Sequence, residues 1–157
     1  MTNILSLLQG WYDYDKNIGQ GRKALPSKDV DEIIRRYAKS PAAPFSDQQI
    51  VERILYPLVN EGFKILEEGI ANQPSDIDVV YMYGYGWPVY RGGPMYWADH
   101  EVGLPKLLAR LQQFHIQFPD TDYYKPSNLL EICVKMNVTV EKFYAMGLHK
   151  KTATSRL

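Results

Sequence analysis

Apolar residues recur at spacings of three and four along most of this chain, which is the period of an α-helix with one buried side. The longest such stretch, residues 46–70, opens with Ser46 and Gln49 at the spacing of a capping box. Pro57 lies inside the stretch and predicts a bend, and Gly69 predicts its end. Two adjoining apolar rows predict a helix buried against two neighbours: Ile50, Ile54, Leu58 and Ile65 in one row, and Val51, Leu55, Val59, Leu66 and Ile70 in the other.

Shorter stretches predict further helices on both sides of this one. Residues 28–39 carry an apolar stripe made of Val30, Ile33, Ile34 and Tyr37. Residues 74–86 predict a helix capped by Ser75 and ended by the glycines, with two acids in its first turn and three apolar side chains facing inward: Asp76, Asp78, Ile77, Val80 and Tyr81. A short helix near residue 95, a long one within residues 102–118 and two final helices complete an all-α fold class without convincing strand pairs.

The same patterns predict three segments. Residues 1–45 are expected to be an irregular lead-in with one short helix, because their aromatic, Gly and Pro residues have no sustained period. Residues 46–148 are expected to form the helical domain, and residues 149–157 a flexible tail. At 157 residues and 45% hydrophobic composition, the chain is long enough for a single core.

Charge and targeting signals narrow the function classes. Eighteen basic and eighteen acidic residues cancel, so the overall charge favours neither nucleic acid nor a membrane surface as a partner. No apolar run reaches the ~20 residues that a bilayer requires. The start "MTNILSLL" is too short and uncharged for a secretory signal, and we expect a soluble intracellular protein.

Few residues offer catalytic or metal-binding chemistry. Cys133, the single cysteine, lies in an apolar helical pattern, which predicts a buried thiol and excludes an internal disulfide. The three histidines, His100, His115 and His149, lack the spacing and the nearby carboxylates of metal or general-base sites. We therefore expect no catalytic residue and no metal site here.

The stretch "GYGWPVYRGGPMYW", residues 84–97, which we name the elbow, is rich in Gly, Pro and aromatic residues. Its glycines follow a helix and lack the G-x-G-x-x-G spacing of a dinucleotide cradle. It predicts a hard turn in which Gly84 and Gly86 supply left-handed or close-packed backbone, and Pro88 and Pro94 fix the direction. A ligand or partner surface stays open, because Arg91 stands among costly aromatic and methionine side chains: Trp87, Tyr90, Met95, Tyr96 and Trp97.

Five short motifs occur in a specific order: "NEG" at 60–62, "DID" at 76–78, "GYGWP" at 84–88, "GGP" at 92–94 and "VGL" at 102–104. In this order they resemble the C-terminal helical domain of the 3-hydroxyacyl-CoA dehydrogenases. Within that family the chain most resembles the last domain of the peroxisomal multifunctional enzymes (enoyl-CoA hydratase/3-hydroxyacyl-CoA dehydrogenase). The resemblance is dense over residues 50–112, and "GWYDYD" at 10–15 extends it.

The resemblance implies a part in the NAD-dependent oxidation of 3-hydroxyacyl-CoA to 3-ketoacyl-CoA in peroxisomal fatty-acid β-oxidation. In this family a Rossmann domain binds NAD and carries the catalytic His–Glu pair, and neither is in this chain. The helical domain forms one wall of the acyl-CoA cleft and pairs with a second helical domain. We therefore expect a chain that is inactive alone, without its own cofactor, and that pairs with a copy of itself or with a Rossmann-containing dehydrogenase chain that binds NAD.

Two other functions stay open: a free-standing, non-catalytic acyl-CoA-binding or dimerisation protein of the peroxisome, and a truncated copy without activity. In either case exposed aromatic side chains predict self-association.

The resemblance also suggests particular residues. The elbow is a candidate domain-pairing or substrate-side element through Gly84, Gly86, Trp87, Pro88, Arg91, Gly92, Gly93 and Pro94. Arg91 is a candidate contact to a partner carboxylate or to a CoA phosphate. Glu52 stands where catalytic copies have Asn before the Arg; we interpret it as a solvated helix charge in a structural copy. Ser155, Arg156 and Leu157 resemble the Ser-Lys-Leu peroxisomal address, which predicts binding to the import receptor.

Overall fold

The structure, a computed structural model, describes residues 10–38 and 45–149. The chain divides into two compact units with the boundary between residues 44 and 45. The described parts contain two short strands and seven α-helices, so the all-α prediction is confirmed. Within these parts no helix is both long and apolar enough to cross a bilayer.

The first unit contains a small strand pair that the sequence did not predict. Strand β1 (Tyr12–Asp13) pairs with β2 (Leu25–Pro26) in antiparallel register. Between them, Gly19, Gln20 and Gly21 all have positive φ and reverse the chain. Two-residue strands are too short to show an alternating pattern, and for this reason the expectation of no convincing strand pairs was wrong here.

Helix α1 (Lys28–Tyr37) follows and confirms the helix predicted from the stripe of apolar residues. Asp29 and Asp31 lie in its first turn and Arg35 and Arg36 in its last, where they complement the helix dipole. None of its side chains is buried. The stability of α1 therefore depends on local interactions, such as those between its terminal charged side chains and the helix dipole.

The second unit consists of six helices joined by short turns. Their bounds are α2 (Asp47–Glu67), α3 (Pro74–Gly84), α4 (Pro94–Trp97), α5 (Leu104–Gln117), α6 (Asn128–Met136) and α7 (Val140–Ala145). A π-helical turn (Ala98–Val102) joins α4 to α5, and a 3-10 turn (Asp122–Tyr124) precedes α6.

Helix α2 runs through the middle of this unit. Its predicted capping box is confirmed: the Ser46 hydroxyl accepts from the Gln49 amide at 3.3 Å, and the Gln49 side chain accepts from the Ser46 amide at 2.9 Å. Gly69, at φ 73°, follows its end as predicted. The prediction that both apolar rows are buried was wrong for Ile50, Ile54 and Ile70, which are exposed. The buried stripe is Tyr56, Val59, Phe63 and Leu66.

The core of the second unit gathers buried apolar side chains from α2 to α7. Its fully buried large side chains include Tyr56, Phe63, Met95, Leu107, Leu111, Leu130 and Phe143. The predicted burial of Cys133 is confirmed, and desolvation raises the pKa of its thiol to about 12, so this cysteine is inert at neutral pH.

Helix α3 departs from the prediction at three positions. Gln73 is its N-cap rather than Ser75, with Pro74 at its first position. The Asp76 carboxylate accepts from the Asn72 and Gln73 amides, both at 3.1 Å. Val80, predicted to face inward, is 54% exposed. Asp78, predicted to lie in the first turn, follows that turn and is buried. The local pattern placed the start of α3 two residues late, and it could not show which side of the helix its neighbours cover.

Candidate functional site

The elbow is a folded connection between α3 and α4. Gly84 is the last residue of α3, with no left-handed backbone and open space around it, so its predicted role was wrong. Gly86 does have positive φ, at 74°, as predicted. The Trp87 amide then donates to the Tyr81 carbonyl at 3.0 Å, which turns the chain back onto α3. A 3-10 turn (Val89–Arg91) leads to the second pair of glycines.

Gly93 is the tightest position of the elbow. Its φ is 97°, and a Cβ added there would overlap the side chain of Asp78. Asp78 in turn accepts hydrogen bonds from the Met95 amide at 2.7 Å and from the Tyr96 amide at 3.3 Å. Burial raises the pKa of the Asp78 carboxyl to about 6, against the lowering effect of these two hydrogen bonds. One carboxylate therefore holds the start of α4 against α3.

An apolar groove of about 670 Å³ lies between α2 and the elbow. Its lining is Val51, Leu55, Leu58, Tyr81, Tyr85, Gly86, Trp87, Pro88, Arg91 and Trp97. The structure thus brings four of the eight predicted elbow residues together at this groove. The other four, Gly84, Gly92, Gly93 and Pro94, are not part of its lining.

Trp87 and Trp97 form the aromatic wall of the groove. Their ring centroids are 5.8 Å apart in an edge-on arrangement, and Trp87 also meets Tyr81 at 6.3 Å. The buried Trp87 Nε1 has no hydrogen-bond partner in the part of the chain that the structure describes. A buried donor without an acceptor costs about 1–3 kcal/mol, so this wall carries a polar group that the fold leaves unsatisfied.

Arg91 has a partner within its own chain. Its Nη1 lies 2.6 Å from Glu101 Oε2, and its guanidinium lies 5.7 Å from the ring centre of Tyr90. Both charged side chains are partly exposed. A partner carboxylate or a CoA phosphate would therefore have to compete with Glu101 for this arginine.

The elbow also presents apolar side chains to solvent beside the groove. Tyr90 is 84% exposed and Val89 65%, and Tyr85 is exposed as well. On α2 the exposed Ile54 lies one residue from the groove-lining Leu55. We call the exposed residues Ile54, Val89 and Tyr90 the rim of the groove. The groove and its rim form an apolar surface of the kind that typically marks an interaction site.

Glu52 is buried, and the interpretation of a solvated helix charge was wrong. Arg110 Nε donates to Glu52 Oε2 at 2.6 Å, and Gln48 Nε2 donates to Glu52 Oε1 at 2.8 Å. Burial alone would raise the pKa of Glu52, but the hydrogen bonds from Gln48 and Arg110 hold it below its usual value. Arg110 also stacks on Phe114, 4.5 Å from the ring centre, and binds Gln113. Because Arg110 is 58 residues away, no local pattern signalled this pair.

Two further polar residues, Asn60, which is buried, and Asp99, which is partly buried, were not predicted as structural residues. Asn60, the first residue of the "NEG" motif, donates to the Lys125 carbonyl at 2.8 Å and accepts from the Ser127 amide at 2.9 Å. Asp99 accepts from the Val140 and Glu141 amides at the start of α7. Such polar residues inside apolar motifs are the signal that could have found them.

The described residues contain no group of three or more His, Cys, Asp or Glu side chains that could hold a metal ion. His100, for which no nearby carboxylate was predicted, has its Nε2 3.6 Å from Glu141 Oε2 and its ring against Tyr96. The targeting residues Ser155, Arg156 and Leu157 lie outside the described residues.

Comparison with known proteins agrees with the motifs. The family model for the 3-hydroxyacyl-CoA dehydrogenase C-terminal domain matches residues 50–145. The peroxisomal bifunctional enzyme of Homo sapiens is 45% identical over 126 residues, which cover 78% of this chain and 17% of that protein. A glyoxysomal fatty acid β-oxidation multifunctional protein of Cucumis sativus is 35% identical over 132 residues, covering 80% of this chain and 17% of that protein.

A solved structure shares the fold as well. The dehydrogenase part of multifunctional enzyme 1 from C. elegans superimposes with a TM-score of 0.59 at 33% sequence identity, covering 81% of this chain and 29% of the other. The chain spans 17% of the length of the human relative. The family match extends over α2 to α7 and includes the elbow, the groove and the Glu52–Arg110 pair. By these criteria the chain belongs to the 3-hydroxyacyl-CoA dehydrogenase C-terminal domain family.

Proposed function

We propose that this chain serves as a helical domain of a 3-hydroxyacyl-CoA dehydrogenase system of peroxisomal fatty-acid β-oxidation. In this role it pairs with a dehydrogenase chain through the apolar groove and its rim, and it completes one wall of the acyl-CoA cleft. The observation that carries the proposal is a groove of about 670 Å³ lined in part by the "GYGWP" motif, in a chain whose family relatives are much longer enzymes. The names of the relatives, peroxisomal and glyoxysomal, support a peroxisomal location.

In this proposal the partner supplies the redox chemistry. NAD, when bound in the partner's Rossmann domain, accepts the hydride that leaves the 3-hydroxyacyl group. The groups of this chain that face the groove are aromatic and aliphatic, with one ion-paired arginine. They exclude water and supply contact area, which is the contribution of a cleft wall and not of an acid or base. We expect the chain to be inactive alone.

The test is an assay of NADH oxidation with a 3-ketoacyl-CoA. The purified chain is measured alone and after mixing with a separately expressed Rossmann-containing half of the dehydrogenase. We expect no turnover from the chain alone and a gain on mixing that saturates with added chain. Turnover by the chain alone, or no gain at any ratio, contradicts the proposal.

A second function is favoured by the size of the groove. Its volume falls within the ~300–1,000 Å³ typical of small-molecule sites, which suits a free-standing acyl-CoA-binding protein. Titration of a Trp11→Phe variant with an acyl-CoA, followed by the fluorescence of the remaining Trp87 and Trp97, separates the two functions. Saturable binding without activation of the dehydrogenase half favours this second function.

A further inference from the structure

The Asp78 carboxylate occupies an unusual position for an acid with no catalytic role. Its residue is 7% exposed, and its oxygens accept from the amides of Met95 and Tyr96, the second and third residues of α4. These amides lie in the first turn of a helix, where backbone N–H groups have no partner inside the helix. Asp78 on α3 therefore supplies the cap that α4 lacks.

The contact reaches the groove through two residues. Gly93 packs directly on Asp78, at a position where any other residue would collide with the carboxylate. Four residues later Trp97, the last residue of α4, lines the groove and meets Trp87 across the elbow. If α4 moves away from Asp78, the aromatic wall of the groove moves with it.

The surroundings of Asp78 disfavour its charge. Burial raises its pKa to about 6, and the two amide hydrogen bonds only partly counter that effect. Asp99 in the π-helical turn and Glu141 on α7 raise it further. Burial raises the pKa of Asp99 as well, and His100 Nε2 lies 3.6 Å from Glu141 Oε2.

Opening of the elbow would expose Asp78 to water. In the elbow as the structure shows it, burial raises the pKa of the Asp78 carboxyl to about 6, whereas the ordinary pKa of an aspartate in water is 3.8. The state with the higher pKa binds the proton more tightly, so protonation favours closure, and closure weakens as the pH rises from about 4 through about 6.

We propose that Asp78 is a positioning residue that couples closure of the elbow, and with it the shape of the groove, to pH, so that the groove wall is held more firmly in acid than at neutral pH. The significance of the groove rests on the proposed function, but the coupling itself does not. Since each pKa unit is a factor of ten in an equilibrium constant, the closed state should lose up to roughly a hundredfold in stability across this range.

The experiment is amide hydrogen exchange, followed by NMR on the full chain without any partner. Protection of the Met95 and Tyr96 amides, corrected for the intrinsic effect of pH on exchange, should fall by roughly tenfold or more between pH 4.5 and 7.5. In Asp78→Asn, which keeps the shape of the side chain but cannot ionise, protection of Met95 should not change with pH. Asp76→Asn, two residues away on α3, is the matched control and should keep the wild-type slope.

Amides in the middle of α5, such as that of Leu111, report opening of the whole unit. Equal protection of the Met95 amide at both pH values in the wild type overturns the inference, and so does an equal change of protection with pH at Leu111. If Asp78→Asn does not fold, the change of Met95 protection with pH in the wild type and in Asp76→Asn decides the matter. Because no partner is present, this result is independent of the mixing assay.

Discussion

At the scale of single residues, two glycines of the elbow, Gly84 and Gly93, differ sharply in what surrounds them. Gly93 has φ 97° and touches Asp78, whereas Gly84 ends α3 in open space without positive φ. Gly93→Ala should lower the free energy of unfolding by about 3 kcal/mol, because backbone strain and overpacking each cost 1–3 kcal/mol. Gly84→Ala should stabilise or be neutral within about 1 kcal/mol. Urea denaturation of both variants checks this, and equal effects would contradict the assignment.

The Glu52–Arg110 pair leads to a second prediction at this scale. Arg110→Met removes the cation and leaves a largely buried carboxylate, which should cost about 2 kcal/mol at pH 7, less than a fully buried pair because Arg110 is 27% exposed. The pKa of Glu52 should rise in this variant. Its ionised form then destabilises the fold, so the loss should shrink as the pH falls and Glu52 protonates.

The control is the pair of Lys64 and Glu61 on α2, whose charged atoms are 3.4 Å apart. Its cation is about as exposed as Arg110, but its carboxylate is 63% exposed, against 10% for Glu52. Lys64→Met should change stability by less than about 0.5 kcal/mol. Thermal unfolding of Arg110→Met, Lys64→Met and the double variant Glu52→Met/Arg110→Met from pH 4 to 8 makes the comparison. If Arg110→Met and Lys64→Met lose the same stability, Glu52 is not the buried partner that the geometry indicates.

At the scale of elements, the start of α3 tests which residue caps it. Asp76 accepts two backbone amides there, whereas Ser75 is exposed and caps nothing among the described residues. Asp76→Ala should therefore lose about 1 kcal/mol of stability, through both the lost cap and the lost interaction with the helix dipole. Ser75→Ala should be neutral within about 0.5 kcal/mol. Denaturant midpoints decide the point, and a larger loss in Ser75→Ala would restore the sequence-based assignment.

The elements differ in how far the sequence could predict them. The start of α2 was predictable because Ser46 and Gln49 contact each other within one helical turn. The burial of individual side chains was not predictable, because it depends on neighbours distant in sequence. Ile54 and Val59 both lie in the predicted apolar rows of α2, yet Ile54 is exposed and Val59 is buried. Asp78 and Glu52 are acids that a local pattern places in water. Their partners, 17 and 58 residues away, bring them into the interior.

At the scale of the whole molecule, the family match and the exposed apolar surface both favour pairing of this chain with another chain. A described unit that keeps Tyr85, Val89 and Tyr90 in water beside an apolar groove exposes area that pairing would bury. The elbow motif predicted this surface, because a run of aromatic residues is costly to leave wet. The sequence could not show that Arg91 is already neutralised by Glu101, since that contact depends on the folded turn.

Substitution at the rim of the groove tests pairing without disturbing the core. Val89 and Tyr90 are 65% and 84% exposed, so Val89→Ser/Tyr90→Ser should leave the unfolding midpoint unchanged. The loss of two apolar contacts at a pairing face should weaken association, with itself or with the dehydrogenase half, by tenfold or more. Sedimentation equilibrium of the chain, alone and in the mixture, measures this.

Ile116→Ser supplies the matched control, because Ile116 on α5 is 80% exposed and does not line the groove. It removes a comparable apolar side chain from water and should leave association unchanged. Equal weakening by both variants would show that exposed apolar area in general, and not this face, drives association. No weakening by the rim variant would remove the elbow from the interface, and the search for the pairing face would move to the exposed stripe of α1, where Ile33 and Tyr37 lie in water.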